Sequence, residues 1–253
     1  MTRLSVNLNK VALLRNQRDL DYPSVTGFAQ IAIDAGADGI TVHPRPDQRH
    51  IRFSDVDDLT RLVCDQDVEF NIEGNPFPDF LELVSRAAPE QVTLVPDSPD
   101  QSTSDHGWTL IEDGKSSEAA RRLKDVIAGL KEDGARVSLF MDAEPEQVSE
   151  AAAIGADRVE LYTEPWASAF GTSEQERVLA RFAEAARVAQ DAGLGINAGH
   201  DLTLENLPEF LRIPGVLEVS IGHALTSDAL ELGFSAAVRA YLKITRADSA
   251  LSG

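Results

Sequence analysis

The chain has 253 residues, 43% of them hydrophobic and 26% charged, and its 42 acidic against 23 basic side chains give a formal net charge of −19. So acidic a chain lacks the basic face of a general nucleic-acid binder, and no apolar run reaches the ~20 residues of a membrane-crossing helix. A lone cysteine, Cys64, excludes an intramolecular disulfide; it sits in a helix-like run and is expected in the core, while an N-terminus without a signal-type apolar stretch makes a cytoplasmic location the default.

Short β-branched runs alternate with helical periods along the whole chain. Strands are predicted over 4–9, 39–43, 69–73, 91–96, 136–142, 158–163, 195–200 and 218–223. Amphipathic helical runs lie near 24–36, 54–65, 78–88, 116–134, 144–155, 173–193, 203–212 and 226–244. Eight strands, each followed by a helix, predict a single-domain (β/α)8 TIM barrel over residues 1–245, with parallel strands and right-handed crossovers, and a frayed tail over 246–253. Ser54 before Asp55 and Asp57, Thr172 before Glu174, and Thr203 before Glu205 look like helix starts. Gly36, Gly155 and Gly193 look like helix stops, the first two inside a repeated Gly-Ala-Asp tripeptide. Two connections are long. Residues 10–24 follow strand one, and the polar stretch 97–115 follows strand four, where it is placed to act as a lid.

Barrel chemistry gathers at the C-terminal ends of the strands. Three of the five histidines, His43, His200 and His223, stand at such ends, and Glu73 ends another run. His43 and His200 suit general acid–base work because an imidazole titrates near neutral pH, and a partly dry barrel mouth would raise Glu73 into the same range. Asn7, Asn9, Lys10, Asp142, Thr163 and Asn197 end or flank the same strands, and Glu160, earlier in its strand, is placed inside the barrel as support or chemistry. Arg18, Arg45 and Arg49 are candidate anion ligands, since a guanidinium fork matches phosphate, and Thr103 is a candidate donor from the long loop. Gly222-His223 opens the last βα turn, where backbone N–H groups hold phosphate in many barrels. No compact metal motif is present, although His43, Glu73, Glu160 and His200 could converge on one ion.

Taken together, Asn7-Leu8-Asn9-Lys10 running to Arg18, Gly36-Ala37-Asp38-Gly39 running to His43-Pro44-Arg45, Arg49-His50-Ile51, Val137 to Asp142, Asn197-Ala198-Gly199-His200 and Ile221-Gly222-His223-Ala224 resemble the pyridoxine 5′-phosphate synthase family. The resemblance runs from the first strand to the last helix. It implies a (β/α)8 barrel that assembles into homo-oligomers, commonly octamers, and needs neither cofactor nor metal. The implied reaction condenses 1-deoxy-D-xylulose 5-phosphate with 3-amino-2-oxopropyl phosphate into pyridoxine 5′-phosphate, phosphate and water. By the same resemblance His43 and Glu73 are proton acceptors and His200 the proton donor. Asn7, Arg18, the Asp201 backbone, Gly222 and His223 would hold the aminoketone phosphate, and Asn9, Lys10, Arg45, His50 and Thr103 the deoxyxylulose phosphate. The family commonly has Asp-His where this chain has Asn9-Lys10, and glycine where it has Asp201. Two other readings remain at this stage: a metal-dependent sugar-phosphate isomerase or aldolase on the same barrel, and a non-catalytic binder of phosphate esters.

Overall fold

The computed structural model describes residues 1–99, 101 and 103–247. Alternation with a period of two decides the architecture. Leu4 and Val6, Ile40 and Val42, and Phe70 and Ile72 are buried against the helices in one continuous core. Their neighbours in sequence turn the other way, into the barrel. In chain order the strands are β1 (Arg3–Asn7), β2 (Gly39–Val42), β3 (Glu69–Gly74), β4 (Gln91–Leu94), β5 (Ile111–Glu112), β6 (Lys115–Ser116), β7 (Arg136–Met141), β8 (Arg158–Tyr162), β9 (Gly195–Gly199) and β10 (Val216–Ile221). All but β5 and β6 pair in parallel and close in the order β1-β10-β9-β8-β7-β4-β3-β2. The helices are α1 (Asn9–Arg15), α2 (Val25–Asp34), α3 (Phe53–Val63), α4 (Pro78–Ala87), α5 (Glu118–Glu132), α6 (Pro145–Ala153), α7 (Glu164–Ala169), α8 (Gln175–Asp191), α9 (Leu207–Phe210), α10 (His223–Leu232) and α11 (Phe234–Thr245). The (β/α)8 barrel predicted from the sequence is therefore the fold.

The interior of this barrel is polar rather than packed with branched aliphatics. In its middle layer Ser5 and Thr41 share a hydrogen bond of 2.6 Å, Asn71 donates to Thr41, and Thr93 donates to Asn71 at 3.0 Å. In the layer below, Gln91 of β4 reaches across the barrel: Asn197 of β9 donates to it at 3.2 Å, and it donates to Glu218 of β10 at 3.5 Å. Arg158 donates to Asn197 and pairs with Glu218, while Arg136 pairs with Glu69 at 2.6 Å. Buried polar groups cost several kcal/mol unless bonded, so these residues form a connected plug beneath the rim.

The repeated Gly-Ala-Asp tripeptide has a structural reason. Gly36 and Gly155 take positive φ, at 101° and 99°, and stop their helices. Each following aspartate then stitches the next strand in. Asp38 accepts from the Leu4 N–H through its carboxylate at 2.9 Å and donates its own N–H to the Leu4 carbonyl. Asp157 does the same with Val137.

Several expectations are corrected. The first strand ends at Asn7 rather than Asn9, because the Asn7 Oδ1 accepts the Asn9 N–H and turns the chain into α1. The connection after it is thus helical at its start, with Val11 and Ala12 buried. Helix α3 begins at Phe53 with Arg52 as its cap residue; Ser54 lies inside it, and Asp55 accepts the Arg52 N–H at 2.7 Å. Cys64 is exposed at the end of α3 instead of in the core. The run predicted as one helix over 226–244 is two, broken at Gly233, whose φ of 80° no other residue adopts cheaply, and it starts earlier, at His223. The stretch 97–115 is only half loop. Trp108 donates its backbone N–H to the Phe140 carbonyl and its indole N–H to the Leu94 carbonyl, Gln147 accepts from Leu110 and Ile111, and the β5–β6 hairpin completes it. Arg246, predicted to open the tail, bonds the Gly36 carbonyl and Asp38; residues 248–253 lie outside the described residues.

Arg15 of α1 is 4% exposed and forms a two-pronged pair with Asp55 of α3, at 2.5 and 2.9 Å. Asp55→Ala leaves this guanidinium buried without its counterion and is expected to lower stability by about 3–5 kcal/mol in urea unfolding, and Arg15→Met combined with Asp55→Leu by much less. A loss under 1 kcal/mol for Asp55→Ala would show the pair to be solvated.

Candidate active site

The rim above the polar plug is the third inward layer of the same strands. Asn7 comes from the end of β1, His43 follows β2, Glu73 is in β3, Tyr162 ends β8 and His200 follows β9. These residues enclose a cavity of about 440 Å³ together with Asn9, Lys10, Arg45, His50, Thr103, Ser104, Glu160, Asp201, Gly222 and His223. Of the residues singled out for catalysis and substrate contact, all but Arg18 and Arg49 line it; Arg49 is bonded to Asp47 and to the Pro99 and Gln101 carbonyls. Arg18 lies exposed in the turn after α1. Asn197 and Asp142 do not line it either: Asn197 belongs to the lower polar layer, and Asp142 lies against the Gly107 backbone.

Burial sets the protonation of the acid–base groups. Glu73 is 7% exposed; burial, reinforced by the charge of Asp97, pushes its carboxyl up to about 8. Burial, with the neighbouring charges of Arg45 and His50 behind it, holds His43 well below the usual histidine range. His43 Nδ1 lies 3.8 Å from Glu73 Oε2. His50 is lowered to about 4 by burial and then by Arg45 and Lys10, and its Nδ1 accepts the Ile51 N–H at 2.9 Å. Glu160, 2% exposed, is raised well above the usual carboxylate range by burial and the proximity of Glu73. Its carboxyl fits only because position 199 is glycine: a Cβ there would overlap Glu160 Oε1.

His200 is held as a rigid ring. Its imidazole packs at 5.1 Å from Phe140 and 5.3 Å from Tyr162, and the Thr163 hydroxyl donates to the carbonyls of Gly199 and His200. Burial lowers its pKa, and the charges of Asp201 and Asp97 partly oppose that. His200 and Asp201 both have positive φ, 79° and 56°, so two successive left-handed residues turn the chain over the cavity. The conformation accounts for glycine being common at position 201, and aspartate is among the residues that tolerate it best.

Two groups of the cavity are built for anions. Gly222 caps α10 and His223 is its first residue, so the free N–H groups of that ten-residue helix open beside Asn7, with no acidic residue in the first turn to compete. Gly222 is needed for the approach: a Cβ there would stand 3.1 Å from Asn7 Cβ. Opposite lie Lys10, Arg45 and His50. Asn9 accepts the His43 N–H through its side-chain oxygen at 2.9 Å, a contact an aspartate oxygen would make equally. Among the described residues no three His, Cys, Asp or Glu side chains converge as metal ligands, so the metal-dependent reading has no ligand set here.

Sequence reasoning missed Asp97, Ser104 and Tyr162. Asp97 is 3% exposed, accepts from Arg45 at 2.5 Å and from Ser104 at 2.6 Å, and lies 4.0 Å from His43 Nε2. It follows Val95-Pro96 just beyond β4, so the rule that located His43 and Glu73 would have found it. Arg45 and Arg49 also donate to the Gln101 carbonyl, and Arg49 to Pro99, which ties the loop across the cavity edge.

Fold and site together define a (β/α)8 barrel whose rim gathers buried titratable groups beside places suited to anionic groups. Residues 4–247 match the protein-family model described as "Pyridoxal phosphate biosynthesis protein PdxJ". A pyridoxine 5′-phosphate synthase of Albidiferax ferrireducens is 58% identical over 249 residues, covering 96% of each chain. Another, of a Chelativorans species, is 53% identical over 251 residues, covering 97% of this chain and 99% of that one. The chain belongs to the PdxJ family. Among solved structures, phosphoribosyl anthranilate isomerase from Thermotoga maritima superposes with a TM-score of 0.61 at 12% identity, covering 98% of this chain and 100% of that one; the likeness is one of fold.

Protonated burial of Glu73 has a stability signature. Its folded-state value of about 8 exceeds the 4.5 of an ordinary carboxyl, so unfolding releases a proton between those values and stability falls as pH rises from about 4.5 to 8. Glu218, also raised to about 8, adds to the slope. Urea unfolding at pH 5 and pH 8 is expected to show a smaller loss for Glu73→Gln than for wild type; equal losses would mean that Glu73 is ionised throughout.

Proposed function

We propose that this chain is a pyridoxine 5′-phosphate synthase, condensing 1-deoxy-D-xylulose 5-phosphate with 3-amino-2-oxopropyl phosphate and releasing phosphate and water. The observation that carries the reading is the convergence of His43, Glu73 and His200 on one cavity that has a free helix N-terminus on one wall and Lys10, Arg45 and His50 on another. The 52–58% identity of its relatives named for this activity supports it. Simple binding of phosphate esters would not call for three buried acid–base groups.

In this reading, the amine of one substrate attacks the ketone of the other and loses water to form an imine. Phosphate elimination, water addition and carbon–carbon closure follow, and each needs a proton moved. His43 is the neutral base. Glu73, titrating near the working pH, takes and returns protons beside it. His200 protonates leaving oxygen. Burial lowers its proton affinity in the empty cavity, and the negative charge of two bound phosphate esters raises it again, so the acid is loaded when substrates are present. Gly222 and His223 with Asn7 hold the aminoketone phosphate; Lys10, Arg45, His50, Asn9 and Thr103 hold the sugar phosphate. The Asp201 backbone N–H belongs with the former, and Glu160 supports Glu73 from below. Neither metal nor cofactor enters these steps.

The acting form is a cytoplasmic homo-oligomer, an octamer on the family pattern. Exposed Leu14, Leu230 and Leu232, bordering a groove that also holds Phe28 and Phe234, support self-association. No helix among the described residues is long and apolar enough to cross a membrane.

Chelator-treated protein mixed with the two substrates is expected to form pyridoxine 5′-phosphate at catalytic turnover, followed by chromatography; a folded protein that yields none overturns the reading. His200→Asn is expected to lower kcat by a factor on the order of 10² or more, the scale of a lost general acid, and near-normal turnover would remove it from that role. Arg45→Ala is expected chiefly to raise KM for the sugar phosphate, and an unchanged KM would count against that contact.

A further inference from the structure

His43 stands between two carboxyl groups, one beside each ring nitrogen. Its Nδ1 is 3.8 Å from Glu73 Oε2, and its Nε2 is 4.0 Å from Asp97 Oδ2. The two carboxyls differ in kind. Asp97 accepts from the Arg45 guanidinium at 2.5 Å and from the Ser104 hydroxyl at 2.6 Å, and its main-chain carbonyl accepts from Asn75 at 3.1 Å. These bonds fix the carboxylate in place, and an ionised carboxylate only accepts. Glu73 carries its own proton near neutral pH.

A neutral imidazole has one N–H. It belongs on the nitrogen that faces an acceptor, and the other nitrogen keeps its lone pair. The groups around the ring sharpen the choice. Arg45, His50, His200 and Arg49 all oppose a positive charge on His43, whereas Asp97 and Glu73 are the two carboxyls that face it. Once His43 has taken a proton, its Nε2 side lies 4.0 Å from the Asp97 carboxylate.

We propose that Asp97 is a positioning residue for the reaction, holding His43 as the Nε2–H tautomer so that Nδ1, on the Glu73 side, is the atom that receives the substrate's proton. The bond formed is Nδ1–H, its electron pair coming from the ring nitrogen, and the pair released stays on the substrate as it becomes an enamine. The inference rests on the synthase reading of the cavity. It goes beyond it in assigning a third member to the His43–Glu73 pair, from the end of β4 rather than β2 or β3.

Because Asp97 also ties Ser104, a loosened loop must be distinguished from a lost tautomer. Asp97→Asn keeps the size and an oxygen for Ser104. In long-range ¹H–¹⁵N spectra of ¹⁵N-histidine-labelled protein without substrate, with the His43 signals assigned by their loss in His43→Gln, wild type is expected as Nε2–H and Asp97→Asn with a substantial Nδ1–H population. Turnover of Asp97→Asn is expected to fall by ~10-fold or more, the direction and scale of a disoriented base, with KM for the sugar phosphate no higher than wild type. An Nδ1–H tautomer in wild type overturns the proposal, as does a raised KM at unchanged kcat, the mark of a purely structural tie. If Asp97→Asn does not fold, the wild-type spectrum decides alone. That spectrum needs no turnover, so absence of product from wild type would overturn the synthase reading and leave the tautomer result to stand or fall separately.

Discussion

A polar barrel interior is the constraint from which the rest of this structure follows. Most (β/α)8 barrels fill the centre with branched aliphatic side chains, and the active site then begins abruptly at the rim. Here Ser5, Thr41, Asn71 and Thr93 are joined side chain to side chain, and beneath them the bonds from Gln91 to Asn197, Gln91 to Glu218 and Arg158 to Glu218 bridge strands that are not neighbours. Every such group must be bonded because water is excluded around it, so the inward residues are locked in register with one another. The catalytic layer is the next step of the same alternation. Asn7, His43 and Glu73 sit two residues beyond Ser5, Thr41 and Asn71 on their strands, and inherit their placement from a network that has few ways to rearrange.

That architecture also governs the electrostatics. Glu73 and Glu160 are buried close together with no guanidinium among the described residues bonded to either, and desolvation raises both above the usual carboxylate range. Asp97, by contrast, is bonded to Arg45 and serves as a fixed anion. Two kinds of carboxyl therefore flank His43, one raised by burial to about 8 and one tied to a guanidinium and a hydroxyl. A chain with a net charge of −19 repels phosphate esters at long range, so attraction must be local. Lys10 and Arg45 place cations on the cavity wall, and the α10 N-terminus adds a positive end without a charged side chain.

Much of this was legible in the sequence, for identifiable reasons. The eight strands were readable because strand and helix differ in period, and the rim histidines because they end apolar runs. Boundaries failed where a single side chain redirects the backbone. Asn7 ends β1 early by capping Asn9, and Gly233 divides what hydropathy shows as one helix. Cys64 was misplaced because its helix ends one residue before it, leaving it on the open end rather than the inner face. The lower polar layer was hidden because Gln91, Asn197 and Glu218 are 21 to 127 residues apart and find each other only on closure. Asp97 was overlooked in a stretch read as loop, although it stands at a strand end like the others. Arg18, suggested as a phosphate ligand by its motif position, lies exposed outside the cavity of the single chain.

The two departures from the family pattern can now be weighed by what each position does. At position 9 the structure uses a side-chain oxygen to receive the His43 N–H, so an amide makes the contact a carboxylate would make, with one negative charge fewer beside Lys10. At position 10 a permanent cation replaces a titratable ring and lies close enough to lower both His50 and His200. At position 201 the backbone requirement is a left-handed turn, and aspartate meets it while adding a carboxylate whose field raises His200. Lys10 and Asp201 thus act on His200 in opposite directions. The His200 imidazole is balanced between a cation and an anion, and their effects on its proton affinity offset one another.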